Sequence, residues 1–201
     1  MKDSNQKILA GAFRLFLKNN YESVSTKMLE MEIGLSRGSI FYHSKDKQSL
    51  FNEVIDTYIL AKQDVAHKIK LKNLDKKPLY DYINEYIEGA KSNIDSMREI
   101  VGNESIVYGD YFSLLYQAKR YYTGFADKIA GIFERERCVI ENVVKNSIER
   151  GELKEGLTAQ DVAKHLRYIF VGNSFEESLN SGVKIKEIRS LIMSYYNLIK
   201  K

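Results

Sequence analysis

Apolar residues recur at three- and four-residue spacing along almost the whole chain, which is the period of an amphipathic helix. The first stretch shows this clearly, because its apolar side chains form one face and its polar ones the other: Ile8, Leu9, Ala12, Phe13 and Phe16. No segment shows a competing two-residue alternation of the kind that strands produce. The sequence therefore predicts an all-α protein.

Polar caps and glycines divide this pattern into separate helices. A long first helix ends near Asn19, short helices follow at about 26–33 and 37–43, and Ser44 is the predicted N-cap of a longer one. A lysine-rich interruption occupies residues 68–78. Further helices are predicted at about 78–98, 104–118, 121–151, 159–180 and 184–200. The single proline among 201 residues agrees with long helices, because proline disrupts helix interiors.

The two short helices carry the most specific signal. They flank the Gly-Leu-Ser sequence at 34–36, which has the length and composition of the turn in a helix-turn-helix unit. In that unit the second helix enters the major groove of DNA, where its N-terminal residues reach base edges. Ile40 is expected to point into the core, which leaves Arg37, Ser39 and Tyr42 outward. A plain surface turn between solvated helices is the alternative for the turn taken alone.

The charge distribution favours a polyanion at this end of the chain. The formal net charge is +4, and residues 1–50 hold eight basic and five acidic side chains, which gives +3. The other 151 residues hold 23 basic and 22 acidic side chains, which gives +1. A positive excess concentrated on one unit is the electrostatic pattern of nucleic-acid binding.

Residues 8–51 resemble the N-terminal domain of the TetR-type family of transcriptional repressors. The shared residues are Ile8, Ala12, Phe16, Tyr21, Thr26, Gly34, Leu35, Ser36, Gly38, Ile40, Tyr42, His43, Lys47, Leu50 and Phe51. The resemblance implies a helix-turn-helix DNA-binding domain at 1–50 and a helical domain at 51–201 for effector binding and dimerisation. Phe41 and Ser44 depart from the family pattern, which has a tyrosine and a larger apolar residue there.

The same resemblance implies roles for eight side chains. Lys27, Arg37, Ser39 and Tyr42 fall where members of the family read bases. Thr26, Ser36, His43 and Lys47 fall where members hold DNA phosphates. Lys47 is near the start of a predicted helix, where a cation opposes the helix dipole unless an anion lies close by.

The remainder of the chain is rich in tyrosine, a side chain with a large apolar body and one polar tip. Such residues suit the wall of a cavity for a small apolar or aromatic effector, and Tyr86, Tyr108 and Tyr116 are the predicted wall. Half-buried packing is the alternative for each tyrosine taken singly. A helix at about 44–63 is expected to connect the DNA-binding head (residues 1–50) to the rest of the chain, the body, with Val54, Tyr58 and Ala61 packed against the body.

The last two predicted helices, within residues 159–200, carry apolar stripes that are broad for terminal helices. Gly172 lies inside the first of them, where a close helix crossing would offset its cost of about 1 kcal/mol relative to alanine. The resemblance implies that these helices pair with those of a second subunit to form a homodimer. Closure of the chain's own core is the alternative.

Other classes of chemistry find little support. The three histidines lie in different predicted elements, the single cysteine excludes an internal disulfide, and no glycine-rich phosphate loop is present. The sequence thus predicts no enzyme, no metal and no cofactor. The N-terminus lacks the apolar core of a signal peptide and no apolar run approaches a membrane span, so a cytoplasmic protein without membrane contact is expected.

These features together predict a ligand-responsive repressor that binds a palindromic operator in double-stranded DNA as a dimer. An activator of the same architecture fits the sequence equally well. The alternative from another class is a helical enzyme or small-molecule carrier that uses the C-terminal cavity and keeps the head as a protein-interaction module.

Overall fold

The computed structural model describes residues 2–64, 77–102, 108–180 and 182–201. Its helices are α1 (Lys2–Lys18), α2 (Thr26–Ile33), α3 (Arg37–His43), α4 (Lys47–Ile55), a π-helical segment (Asp56–Leu60), α5 (Ala61–Gln63), α6 (Pro78–Val101), α7 (Tyr108–Tyr121), α8 (Phe125–Glu149), α9 (Ala159–Ser178) and α10 (Ile185–Ile199). Within these ranges there is no strand, and one isolated antiparallel bridge joins Leu153 to Lys200. No helix among them is long and apolar enough to cross a membrane. The predicted all-α fold is confirmed.

The start of α4 corrects one sequence prediction. Its N-cap is Asp46, whose carboxylate accepts the Ser49 N–H at 2.7 Å, and not Ser44. Ser44 instead follows the end of α3 in an extended conformation and is buried. Its hydroxyl donates to the Glu53 carboxylate of α4 at 3.1 Å, so it is already engaged and cannot cap the helix. This hydrogen bond fills the place where the resembled family has a larger apolar side chain.

The buried apolar residues form two cores. The first joins α1 to α4 with α7 and the beginning of α8, and its largest fully buried side chains include Phe13, Phe16 and Phe51. The second joins α6, α8, α9 and α10. No break in packing occurs near residue 50, because Leu50, Phe51 and Val54 belong to one continuous core that extends into α7. The head is therefore seated on the body through α7 as well as through the helix that follows it.

The connection from α4 to α5 is a single helix with a change of hydrogen-bonding pattern in its middle. Asp56 and Ala61 both keep right-handed helical dihedral angles, so the chain passes through the π-helical segment without a break. The Asp56 carboxylate accepts the hydroxyl of Tyr122 at 2.8 Å and the ammonium of Lys128 at 2.9 Å. π turns of this kind are often found at functional sites.

The packing of this connection corrects a second expectation. The sequence predicts that Tyr58 packs against the body, but its ring packs on Phe13 of α1, with a centroid distance of 4.6 Å and a tilt of 31° between the rings. Ala61 is half-buried, and the next two residues, Lys62 and Gln63, are the ones that reach the interior of the body. Because the π-helical segment shifts the helical phase, residues beyond it do not continue the face that a regular α-helix would present.

Candidate nucleic-acid interface and internal cavity

The turn between α2 and α3 is fixed by short-range hydrogen bonds. Gly34 ends α2 in the left-handed conformation (φ 69°), and its N–H donates to the Glu30 carbonyl at 2.9 Å. Ser36 is the N-cap of α3 and accepts the Ser39 N–H at 3.3 Å. The carboxylate of Glu30 accepts the N–H of Arg37 at 2.6 Å, which satisfies one of the free amides at the start of α3. Helices α2 and α3 are thus held at a set angle.

Helix α3 has one buried side chain and an open outer face. Ile40 is fully buried, as predicted, whereas Arg37 and Ser39 are exposed and Tyr42 is 82% exposed. A Cβ atom placed on Gly38 would meet nothing within 4 Å, so the backbone is bare at this point of the helix. The outer face therefore offers a cation, a hydroxyl and a phenol around an unobstructed stretch of backbone.

The other predicted contacts border this face. Thr26 is the first residue of α2 and is half-buried, and Lys27 beside it is exposed. His43 ends α3, where its ring stands edge-on to that of Tyr42 at a centroid distance of 5.4 Å. All eight predicted side chains are exposed or half-buried, and all lie at the start of α2, in or next to α3, or at the start of α4.

Lys47 has a structural role that the sequence did not predict. Its ammonium donates to the carbonyls of Tyr21 and Val24, both at 3.0 Å, and lies 4.4 Å from the centroid of the Tyr21 ring. It thereby fastens the loop between α1 and α2 to the beginning of α4. An ammonium has three N–H donors, so one remains for a further acceptor such as a phosphate.

The head is hydrogen-bonded to the body on two sides. The Tyr21 N–H donates to the Gln117 side chain of α7 at 2.6 Å, and the Gln48 side chain donates to the Tyr121 carbonyl at 2.7 Å. On the other side, the Arg14 guanidinium donates to the Ile100 carbonyl near the end of α6 at 3.2 Å. A shift of α6 would therefore move α1, and a shift of α7 would move the loop that follows α1.

The body encloses a cavity of about 220 Å³ between α6, α7, α8 and α9. The wall is mostly aromatic and aliphatic with a few polar groups: Lys62, Gln63, Tyr86, Ala90, Asn93, Ile94, Met97, Tyr111, Phe112, Leu115, Phe133, Glu136, Arg167, Phe170, Val171, Ser174 and Val183. A concave apolar site with few polar groups is the usual form of a small-molecule site.

The three tyrosines predicted for this wall have different positions. Tyr86 lines the cavity, where its ring stands edge-on to that of Phe170 at 5.2 Å. Tyr108 begins α7, but its side chain lies outside the described residues. Tyr116 must be removed from the wall, because its side chain is 67% exposed. Its neighbour Leu115 lines the cavity instead, since successive side chains on a helix point about 100° apart.

An ion pair that the sequence did not predict lies in the cavity wall. Arg167 of α9 donates to the Glu136 carboxylate of α8, and the Glu136 side chain is only 3% exposed. The guanidinium also lies 4.0 Å from the centroid of the Phe133 ring. Burial raises the pKa of the Tyr86 phenol well above its ordinary value, and the charge of Glu136 and a hydrogen bond to it raise that pKa further. Tyr86 therefore remains a neutral donor.

Helix α5 is part of the same wall. The Gln63 side chain donates to the phenol oxygen of Tyr111, and the Asn93 side chain of α6 donates to the Lys62 carbonyl at 3.0 Å. Burial raises the pKa of Tyr111 to about 12, so this phenol is also neutral at physiological pH. Tyr111 and Asn93, which border the cavity, thus hold α5 at the end of the connection from the head.

The apolar stripes of α9 and α10 divide into two sets. Val162, Leu166, Ile188, Ile192 and Ile199 are buried in the chain's own core. A second set remains exposed on the two helices or directly after them: Tyr168, Phe175, Leu179, Leu191 and Leu198. Gly172 lies on this outer side, and a Cβ placed on it would meet nothing within 4 Å. Part of the stripe therefore closes the monomer, and the remainder is an uncovered apolar surface.

Residues 8–54 match the family model described as bacterial regulatory proteins, tetR family. Over 100 residues the chain is 42% identical to the HTH-type transcriptional repressor AcnR of Corynebacterium glutamicum, a match that covers 44% of this chain and 50% of AcnR. The match to AcnR of Corynebacterium diphtheriae covers 29% of that protein. The chain thus spans half or less of the length of these curated relatives.

Solved structures share the fold over the whole length. A TetR transcription regulator from Haloarcula marismortui superposes with a TM-score of 0.74 at 17% identity, with 100% of both chains covered. A regulator from Saccharomonospora viridis in complex with choline superposes with a TM-score of 0.70 at 16% identity and the same coverage. At these identities the likeness concerns the fold, both of the head and of the helical body.

Proposed function

We propose that the chain is a transcriptional repressor of the TetR family of bacterial regulatory proteins, which its residues 8–54 match, and that a small effector releases it from DNA. The observation that carries the proposal is the outer face of α3, where Arg37, Ser39 and Tyr42 surround the bare backbone of Gly38. The face has the chemistry for a major groove, and its angle is fixed by the turn at 34–36. The expected place of action is the cytoplasm.

The eight predicted side chains form two groups, one that reads the DNA bases and one that holds the DNA backbone. Lys27, Arg37, Ser39 and Tyr42 read base edges, and among them Arg37 carries the largest share because arginine pairs with guanine through two hydrogen bonds. The phosphates are held by Thr26, Ser36, His43 and Lys47. The third N–H of the Lys47 ammonium serves this contact while the other two keep the loop in place.

The operator is palindromic because the protein acts as a homodimer through residues 159–200. The exposed stripe that includes Tyr168, Phe175 and Leu179 supports this, since exposed apolar surface of this kind marks an interface. Two heads related by a twofold axis bind one face of B-DNA when their recognition helices lie about 34–36 Å apart, which is one helical turn.

The effector acts from the cavity. Two helices that border it lead directly to the head: α5, through Lys62 and Gln63, and α7, through Tyr111 and Phe112. A ligand that binds better to the form with displaced α5 and α7 shifts the population toward heads that no longer match the groove. The hydrogen bonds of Gln117 and Tyr121 to the head transmit the displacement.

A selection of bound duplexes from a random pool, made with the full chain, tests this function. The expected product is a palindrome with half-sites about one helical turn apart, and Arg37→Ala should relax the preference at one base pair of each half-site by about 1–3 kcal/mol. Failure to select any sequence would contradict the proposal and favour a carrier or enzyme with a protein-binding head. A promoter fused to a reporter then distinguishes repression from activation.

A further inference from the structure

The charges in the cavity wall restrict the chemistry of the effector, an inference that rests on the proposed function of this cavity. The described part of the wall contains two cationic side chains, Lys62 and Arg167, and a single acidic one, Glu136. The remaining polar groups are neutral amides, phenols and a serine hydroxyl. The wall therefore has an excess of one positive charge inside a largely apolar enclosure, where charges interact more strongly than in water.

The acidic side chain is not available to a cationic ligand. Glu136 is almost completely buried and is held by the Arg167 guanidinium. Tyr86 adds a further hydrogen bond to the same carboxylate. A cationic ligand would have to break a buried ion pair, which leaves a guanidinium without its counter-ion and is costly.

The basic side chain of Lys62, which also lines the cavity, is not paired in this way. Lys62 is half-buried, and its ammonium makes no ion pair or hydrogen bond with any residue that the structure describes. Its carbonyl is fixed by Asn93, so the residue is anchored to the wall while its charge is unsatisfied. An ammonium without an acidic partner on a half-buried side chain favours a bound anion.

A second polar group in the wall also lacks a partner. The hydroxyl of Ser174 is buried and hydrogen-bonds to none of the described residues, although its side chain lines the cavity. Because this hydroxyl oxygen has almost no accessible surface, the polar head of a ligand in the cavity meets Lys62 rather than Ser174. The apolar residues of the lining, which include Ala90, Ile94 and Val183, are suited to the apolar body of a ligand.

We propose that the effector is a compact amphipathic anion, an alkyl or aryl carboxylate whose head binds Lys62 and whose apolar body fills the space between α6, α7 and α9. The cavity volume of about 220 Å³ is below the range of about 300–1,000 Å³ that is usual for the pockets of drug-sized ligands. The effector is therefore a small molecule. Binding at Lys62 places the charged head at the end of the connection from the DNA-binding head, where it acts on α5 directly.

Three probes of equal chain length test this inference on the full chain without DNA: octanoate, 1-octanol and octyltrimethylammonium. Isothermal titration calorimetry should show octanoate bound about tenfold more tightly than 1-octanol, since a charge-assisted pair in a largely apolar cavity adds of the order of one factor of ten. The cation should show no binding. In Lys62→Met the preference for octanoate over 1-octanol should disappear, whereas Lys145→Met, exposed on α8, should keep it.

Lys62→Arg is the second variant, and it should retain the preference because it keeps the charge. Tightest binding of the cation, binding of none of the three probes, or an unchanged preference in Lys62→Met would overturn the inference. The proposed function is tested separately by DNA selection. If the protein prefers the anion but binds no DNA, the inference about the cavity stands and the proposed function as a repressor is contradicted.

Discussion

The main-chain N–H of Tyr21, in the loop that follows α1, donates to the side-chain oxygen of Gln117 on α7 at 2.6 Å. Two turns earlier the same helix places Tyr111 and Phe112 in the cavity wall. Gln117 is itself buried, so its amide cannot exchange this bond for water without local opening. One helix, α7, therefore joins the cavity to the loop that precedes α2 and that Lys47 holds.

Removal of this hydrogen bond should loosen the loop. In Gln117→Leu the Tyr21 N–H loses its acceptor, which should lower the free energy of unfolding by about 1–3 kcal/mol. Hydrogen exchange should become faster at residues 20–24 and remain unchanged in α2. Lys119→Leu, exposed on the same helix, is the matched control. Equal protection of this loop in both variants would mean that Gln117 does not hold the head.

Lys47 should contribute to stability as well as to DNA binding. Lys47→Met leaves the carbonyls of Tyr21 and Val24 without their donor, which should cost about 1–3 kcal/mol and lower Tm by about 2–4 °C for each kcal/mol. Lys45→Met removes the same charge from an exposed position and should leave Tm unchanged. Thermal unfolding of both variants measures the difference. A phosphate contact alone would leave both melting temperatures at the wild-type value.

A substitution at Gly172 tests the proposed dimer interface separately from the fold of the monomer. Gly172→Arg meets open space within the chain and improves helix propensity by up to about 1 kcal/mol, so the subunit should remain folded. The charge would stand in the exposed apolar stripe and should convert a dimer to a monomer in sedimentation. Asn142→Arg, exposed on α8, should stay dimeric. Ile192→Arg is unsuitable, because Ile192 is buried in the chain's own core.

The ion pair in the cavity wall should behave as a unit. Glu136→Gln leaves the Arg167 guanidinium without a counter-ion and should destabilise the protein by about 2–3 kcal/mol, less than for a fully buried pair because Arg167 keeps some contact with solvent. The double variant Glu136→Gln/Arg167→Met should recover most of this loss. Urea unfolding of the two single variants and the double variant measures the coupling. Additive losses would show that the two side chains do not depend on each other.

Tyr111 should make the protein sensitive to alkali. Its pKa is raised by burial to about 12, above the value of about 10 for an unfolded tyrosine. Between pH 10 and 12 the unfolded chain therefore binds fewer protons than the native one at this site. The free energy of unfolding should fall as pH rises through this window, by up to about 1.4 kcal/mol per pH unit from this residue.

Tyr111→Phe should remove that part of the slope, and urea unfolding at several pH values measures it. Tyr116→Phe, on the exposed face of α7, is the matched control. An alkaline slope in Tyr111→Phe equal to that of the wild type would contradict the prediction.

The features that sequence predicts well are those whose determinants lie close together along the chain. The capping of α3 by Ser36, the end of α2 at Gly34 and the burial of Ile40 all depend on residues within one or two turns. Local caps and helical periodicity determine them, so a sequence pattern contains them in full. The same applies to the helical segments of the body, most of which are observed within a few residues of their predicted bounds.

The cavity depends on contacts that no local pattern contains. Glu136 and Arg167 are 31 positions apart, and Glu136 stands between two arginines whose side chains point elsewhere because of the helical phase. Tyrosine content indicated an amphipathic wall, but α7 had to be packed before Leu115 could be distinguished from Tyr116. Lys47 is similar, since the carbonyls that it binds lie more than twenty positions before it.

The π-helical segment at Asp56–Leu60 has a consequence for how the gene can change. Each π turn contains about one residue more than an α turn, so the segment acts as a one-residue insertion accommodated inside a continuous helix. Loss of one codon within the segment would remove the extra residue, restore a regular α-helix and leave Lys62 and Gln63 facing the cavity. Loss of one codon from the regular turns of α4 would instead rotate both residues by about 100° relative to the residues before the deletion and turn them away from the cavity. Asp56–Leu60 is therefore a place where the length of this connection can change by one residue while the cavity wall stays in position.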